Sequence, residues 1–393
     1  MDLNKQKIEF FKKWRKEYKL LLLIFLFGLS LRLLGLINIS LAGDNLLHWK
    51  IAGDIAGKGI FPLLGPKASI NANFNLGPFY YYLLSIPYFI GHGNFKVAVV
   101  FFSVLSSLSI VLLYFVSLRW FSKKHSLEIS LLYATSAYMI SIGNFPWNPY
   151  ILPLFILLSL YFINKIKDGK FYYLSFFSLS YSFCLQAHAT SIFLLPVFLY
   201  LLPFKKLPAK HIFLSLLTLI LANFPWIYFS ITTNFSQINA ALSIFFQTKN
   251  EQCSFSYWFI NHGHGEHCFA YFRNTLFAFR FITMSLFNTT NILVVFLSVV
   301  IIAAFFIKTK IKENKFLLIW LLIPILIFLT YSNFIYLHYF LILTPLPFFL
   351  FVAILSKIEK YNIKELSLSV YVIFLLVIFN IFQYINSLGF PRG

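Results

Sequence analysis

The sequence predicts an all-α protein that crosses a membrane many times. Three observations predict it. Hydrophobic residues make up 60% of the 393 residues and charged residues only 11%, where a soluble domain carries about 25% charge. The apolar residues fall in runs close to the roughly 20 residues that span a bilayer as a helix. Lys and Arg gather in the short loops between alternate runs, the pattern that sets membrane orientation. Mean hydropathy is +0.79. Together these exclude an ordinary cytosolic enzyme, a disordered chain and a coiled coil. The 51 Phe and 23 Tyr suit rings that fill a helical core and sit at both membrane interfaces.

In chain order, residues 1–18 form a basic cytoplasmic tail. Residues 19–384 form the transmembrane domain and 385–393 an outer tail. The first apolar run follows a long basic stretch without a small-residue cleavage site, so it reads as a retained helix. Spans are expected at 19–37, 97–118, 127–143, 149–164, 171–187, 190–204, 211–229, 290–307, 316–332, 337–355 and 366–384, about eleven in all. The stretch PFYYYLLSIPYFIG (78–91) is too short to span and contains Pro87; it reads as a helix that dips in from one side. Basic runs follow the second, fourth, sixth, eighth and tenth spans, for example Lys123-Lys124, Lys205-Lys206 and Lys357. They share the side of the N-terminal tail only if 78–91 does not cross. The positive-inside rule therefore puts the N-terminus in the cytoplasm and leaves two long outer loops, 38–96 and 230–289. The net charge of +20 serves this orientation, so nucleic acid is not an expected partner.

Of the 12 acids, only Asp44, Asp54, Glu251 and Glu266 lie outside in this layout. Asp44 follows the first span in LAGDNLLHWKIAGDIAGKG, at the membrane surface. Two readings stand for it. It is a proton acceptor in outer-face chemistry, or it is the N-cap of a helix starting at Asn45. Asp54, ten residues on, reads first as a solvated surface acid.

The first loop also carries Gly57-Lys58, Leu63-Leu64-Gly65-Pro66, Gly77-Pro78 and Tyr80-Tyr81-Tyr82-Leu83. Later come Phe145-Pro146-Trp147-Asn148-Pro149, Gln186-Ala187-His188, and Tyr336-Leu337-His338-Tyr339-Phe340 with Pro345. In this order the pieces resemble the GT-C membrane glycosyltransferases. More closely, they resemble the dolichyl-phosphate-mannose–protein mannosyltransferase and aminoarabinose transferase group, glycosyltransferase family 39 and its relatives. The resemblance covers most of 20–355. It implies a GT-C fold and an inverting transfer of a hexosyl or pentosyl group from a polyprenyl-phosphate donor, with Asp44 as general base. The acceptor hydroxyl belongs to a lipid, glycan or protein. The expected setting is a bacterial inner membrane with the site on the outer, periplasmic face and membrane lipids around it. No cofactor is required; a divalent metal stays open as an alternative without support from the motifs. Where relatives carry DQGRD or DEPRY, this chain has Asn45, Leu46, Leu47 and His48 after Asp44.

Candidate substrate contacts follow. Arg32, late in the first span, reaches the outer interface by snorkelling. Lys58, Lys67, Arg273 and Arg280 are outer cations for the leaving phosphate; Arg273 and Arg280 are seven apart and share a helical face, and ordinary lipid head groups are their other expected partners. Trp147 and Asn148 offer an aromatic face and an amide to a sugar, and Trp147 equally fits an interfacial belt. Gln186, His188 and His338 line a lipid-phosphate pocket or are packing residues. His48 and Tyr81 complete the set. In CSFSYWFINHGHGEHC (253–268), Cys253 and Cys268 face an oxidising side and read first as a disulfide. His262, His264 and His267 with a thiolate are the zinc alternative, at a spacing that matches no standard pattern. A transporter or lipid flippase would place ionisable groups in mid-membrane. A polysaccharide polymerase or ligase would rely on late-loop cations such as Arg273 and Arg280.

Overall fold

The computed structural model describes residues 3–39, 41, 43–68, 74–246, 270–309, 311–328, 335–359, 361–363 and 366–388. Helix α1 (Leu3–Leu33) runs on into a 3-10 turn over Leu34–Asn38. The segment after it holds α2 (Asp44–Lys58) and α3 (Phe79–Ile90). Next come α4 (Phe95–Ser117), α5 (Lys123–Thr135), α6 (Ala137–Gly143), α7 (Leu152–Lys167) and α8 (Tyr173–Ala187). They are followed by α9 (Leu195–Leu201), α10 (Ala209–Ala222), α11 (Phe224–Thr232) and α12 (Ser236–Phe246). The last third holds α13 (Ala270–Phe287), α14 (Ile292–Lys308), α15 (Ile311–Phe328), α16 (Leu346–Leu355) and α17 (Leu368–Ser387). A two-residue antiparallel pair, β1 (Asn362–Ile363) with β2 (Leu366–Ser367), leads into α17.

The all-helical, polytopic architecture expected from the sequence is the one found. The span count differs. Each expected span contains helix, but among the described residues four helices are long and apolar enough to cross: Glu17–Ile37, Phe95–Ser117, Asn148–Lys167 and Leu368–Ser387. The number reaches seven if each bent pair counts as one span. The pairs α10–α11, α13–α14 and the Leu337–Leu343 turn with α16 bend by 67°, 98° and 61°. Hydropathy registers composition, not continuity. Pro225 at the start of α11 and Pro347 at the start of α16 interrupt the helical ladder without lowering the apolar content. At Ser136 the backbone turns extended and splits 127–143 into α5 and α6.

The breaks are where helices join. Ser136 Oγ donates to Ser285 O on α13 at 2.6 Å, and Asn380 Oδ1 on α17 accepts from Ala137 N at 3.3 Å. Backbone groups freed by the break thus find partners inside the bundle, as an apolar solvent demands. Phe198, Phe281, Phe340 and Phe348 are fully buried, and Trp320 Nε1 donates to Ile342 O at 3.0 Å.

Ion pairs fix the topology at one end. Lys123 pairs with Glu17 at 2.8 Å and Arg119 with Asp168 at 2.7 Å. Lys124 pairs with Glu359, and His125 Nδ1 lies 2.7 Å from Glu128. The start of the first span, the α4–α5 loop, the end of α7 and the end of α16 therefore share one end of the bundle. Between Glu17 and Lys123, α1 and α4 are long and apolar enough to cross, and the twelve-residue α3 is not. Such exposed pairs contribute about 0–1 kcal/mol each; their value here is that they place the loops after α4, α7 and α16 together.

Candidate functional site

At the other end of α1, Gly43 is the N-cap of α2, with φ +56°, a region that disfavours side chains. It turns the chain so that Asp44 becomes the first residue of the helix. The N-cap reading of Asp44 is thus not what the structure has: the cap is Gly43, and no side chain caps the turn. The Asp44 carboxylate is exposed, makes no ion pair among the described residues and sits at the positive end of the helix dipole. Asp54 is occupied instead. It accepts from Lys58 at 2.7 Å, which lowers its pKa, and both side chains are solvated.

Helix α2 lies on α3. Its buried residues Asn45, His48, Trp49, Ala52 and Ile55 recur at the spacing of a single face. Trp49 packs on Tyr88 and Phe95 with centroids 4.7 and 5.1 Å away, and its Nε1 donates to Gly93 O at 3.3 Å. The His48 ring is held edge-on between Tyr80 and Tyr81, at 5.5 and 5.3 Å. Tyr80 OH donates to Pro146 O at 2.8 Å, which ties α3 to the Phe145–Pro149 segment.

The two Gly-Pro pairs of the first loop lie side by side. Gly65 N donates to Leu76 O at 2.8 Å and Leu76 N to Pro66 O at 2.9 Å, and Lys67 bridges Asn75. A Cβ on Gly65 would run into the Gly77 carbonyl, and one on Gly77 into the Gln186 amide. Both glycines are required for this close approach. Gln186 is the hub of the arrangement. Its Oε1 accepts from Phe79 N at 3.1 Å, and its Nε2 donates to Ala222 O at 2.9 Å and Asn223 Oδ1 at 3.2 Å.

The structure brings Trp147, Asn148, Gln186, His188 and His338 together. His338 packs on Trp147 at 4.7 Å and on His188 at 5.4 Å. His188 Nδ1 is 2.8 Å from Thr190 Oγ1, which donates to Tyr339 O at 3.2 Å. The Asn148 amide nitrogen donates to Ala187 O at 2.9 Å. Beside this cluster lies a cavity of about 480 Å³, walled by Phe74, Leu76, Ile192, Phe193, Ile220 and Trp226, with Gln186, His188 and Asn223 as its polar edge. No Lys, Arg, Asp or Glu is among its described lining residues, so the expected phosphate pocket is here an apolar chamber with a neutral polar rim. Asn223 and Trp226 had no signal in the sequence beyond an ordinary apolar span. Trp226 Nε1 donates to Asn75 O at 2.9 Å.

Arg32 does not snorkel. Its side chain is fully buried, with Nε donating to Ser106 Oγ at 2.9 Å and Nη1 to Gly28 O at 2.9 Å and Ala134 O at 3.2 Å. Three protein acceptors close at hand outcompete a distant interface. Arg280 is half-buried over the Phe277 ring at 5.2 Å, and its Nε has no partner. Arg273 lies on the same helix, α13, with its side chain outside the described residues, and Lys67 is exposed on the hairpin. Cys253, Cys268, His262, His264 and His267 all lie outside the described residues. Among those described, no three His, Cys, Asp or Glu side chains are placed to hold a metal ion.

His48 titrates at about 4 rather than 6.5, because burial disfavours the imidazolium more than Asp44 favours it. The unfolded chain therefore takes up this proton first as pH falls. His48's contribution to stability is complete above 6.5 and declines on the way to 4, by about 3 kcal/mol in all. Denaturation in detergent at pH 7 and pH 5 measures it: His48→Gln is expected to lose less stability over that interval than wild type. An equal loss would place the titration elsewhere.

No protein-family model matches the chain, and no curated protein matches its sequence. Among solved structures, the archaeal oligosaccharyltransferase AglB from Archaeoglobus fulgidus, in complex with an inhibitory peptide and a dolichol-phosphate, is similar at a TM-score of 0.42 and 13% identity. The match covers 98% of this chain and 57% of that one, so the chain spans little more than half of that protein's length.

Proposed function

We propose that the chain is an integral membrane, GT-C type glycosyltransferase that moves a sugar from a polyprenyl phosphate to an acceptor hydroxyl at the outer face. The observation that carries the reading is Asp44. An exposed, uncapped carboxylate opens a juxtamembrane helix, and the Gly-Pro pairs that accompany such an acid in the family-39 resemblance fold beside each other in the same loop. In the reaction, the acceptor oxygen attacks C1 of the sugar while its proton passes to Asp44. The C1–O bond breaks and the phosphate leaves with the electron pair, which inverts C1. The half-buried Arg280 and the exposed Lys67 are the cations this reading offers to the phosphate. The apolar chamber takes the isoprenoid tail. No cofactor enters this scheme.

The test is donor consumption by membranes that hold the protein, supplied with polyprenyl-phosphate mannose and polyprenyl-phosphate aminoarabinose. Time-dependent loss of donor with release of polyprenyl phosphate supports the reading. Label that crosses the membrane with the donor intact replaces it with a flippase. The chamber has its own test. Ala241, on α12, lines it, and Ala241→Trp is expected to raise KM for a long-chain donor at least tenfold with kcat little changed. A short-chain donor should be hardly affected, and an equal effect on both would remove the chamber from donor binding.

A further inference from the structure

One wall of the chamber belongs to a helix that buries little of itself. Helix α12 (Ser236–Phe246) follows α11 across residues 233–235 and supplies the half-buried Ala241 to the lining. Apolar burial is what ordinarily fixes a helix on its neighbours. Here Ile238 is 39% exposed and Leu242 50%, and the only buried side chain within 236–243 is Gln237, at 6%. The anchor of α12 is thus an amide. Gln237 Oε1 accepts from Asn75 N at 2.7 Å. Asn75 is itself held, because its carbonyl accepts from Trp226 Nε1 at 2.9 Å and its Nδ2 donates to Gly65 O at 3.0 Å. Phe74, Leu76 and Trp226 line the chamber too, so one hydrogen bond ties α12 to a wall that is fixed by others.

The joint before α12 is strained. Phe235 N donates to Ser230 O at 2.7 Å, and Asn234 has φ +53°. This is the closure a helix end makes with one left-handed residue, for which Asn is suited. A chain ordinarily leaves that conformation after a single residue. Phe235 stays in it at φ +59°, with its side chain 52% exposed, so burial offers little in return. The observed position of α12 therefore sets backbone strain at its joint against one hydrogen bond at Gln237.

We propose that α12 is a lid on the chamber, which turns about Asn234–Phe235, is latched by Gln237 to the Asn75 amide, and opens to let a long apolar chain pass in and out. A neutral hydrogen bond shifts a two-state equilibrium by about 2–10-fold net. Relaxation of Phe235 works against the latch, so the open position lies within thermal reach. Ala241 leaves the chamber wall when the lid swings. The lid follows from the contacts of α12 alone; that the chain it admits is the donor's isoprenoid rests on the proposed transferase.

The test reads the lid without any turnover. Ala241→Cys is placed in the full chain in lipid nanodiscs, and its rate of reaction with N-ethylmaleimide is followed at that residue by peptide mass spectrometry. Adding Gln237→Ala is expected to speed the reaction about 2–10-fold. Gln237→Glu still offers an acceptor to the Asn75 N–H and is expected to stay near the parent rate. Phe235→Gly removes the strain of the latched position and is expected to slow the reaction. Amide hydrogen exchange over 239–243 is expected to be the same in all of them, because a lid swings as a formed helix. A rate that Gln237→Ala leaves unchanged, or that Gln237→Glu raises as far as Gln237→Ala does, overturns the latch. Lost protection over 239–243 means that α12 melts, and overturns the lid. Polyprenyl phosphate added to the Ala241→Cys protein is expected to slow the reaction severalfold by filling the chamber. A rate that answers to Gln237 but not to polyprenyl phosphate keeps the lid and removes the donor chain from the chamber.

Discussion

Asp44→Asn is expected to lower sugar transfer by about 10²–10⁴-fold, the usual contribution of a positioned general base. The amide keeps the size and shape of the carboxylate but cannot take the acceptor proton. The variant is expected to fold. Asp44 is exposed, it caps nothing and it holds no ion pair among the described residues. The charge it gives up at the helix N-terminus is worth about 0.3–1 kcal/mol. Loss of donor consumption with an unchanged Tm therefore separates chemistry from stability. Asp44→Glu, which keeps a carboxylate on a longer arm, should recover part of the rate. A Tm-matched Asp44→Asn that consumes donor as fast as wild type would leave the carboxylate with no more than a helix-dipole role, and the base would have to be sought elsewhere.

The sequence singles out Asp44 because the expected topology leaves few acids outside, and its exposed place at the start of α2 does not depend on distant packing. That α3 would be a short helix was legible for a similar reason, since its apolar run is too brief to span. What the sequence hid depends on contacts between distant segments. Arg32 stands where a long cation would reach the interface, and nothing local predicts that Ser106 and the Ala134 carbonyl close on it instead. Room for it is made by Gly28 and Gly143, whose added Cβ atoms would crowd its guanidinium at 3.3 and 3.0 Å; one of these is more than a hundred residues away. The helix breaks were hidden because Ser136, Pro225 and Pro347 sit within runs whose average hydropathy stays high. Gln186 was flagged as a pocket residue, and it does edge the chamber, yet its hydrogen bonds go to Phe79, Ala222 and Asn223. Its part as the joint between the first loop, α8 and α10 follows from a fold that spacing does not reveal. His48 was named as a candidate contact and Asn45 only as a departure from the family pattern, and their unpaired atoms needed coordinates.

The second large effect is expected at Arg32, and its size depends on what replaces it. Arg32→Ala removes three hydrogen bonds from an ionised donor, each worth about 1.5–3 kcal/mol in favourable cases, and empties the space between α1, α4 and α5. A loss of about 3–5 kcal/mol follows, the range of large-to-small substitutions in a packed interior. Arg32→Met fills much of the same volume without a charge. The Gly28 carbonyl lies within α1, but the Ala134 carbonyl at the broken end of α5 loses its donor, so Arg32→Met is expected to cost about 1–3 kcal/mol, less than Ala. Arg32→Lys falls between, because a single ammonium cannot reproduce the fork that reaches both α4 and α5. The expected order of Tm in detergent is wild type, then Met and Lys, then Ala. The Met variant also decides the role. Donor consumption near the wild-type rate would assign Arg32 to holding the outer end of α1, and with it the α2 entry that positions Asp44. A folded Met variant with no transfer would mean that the guanidinium meets the substrate phosphate, through an opening between α1 and α5 that the buried arrangement does not show.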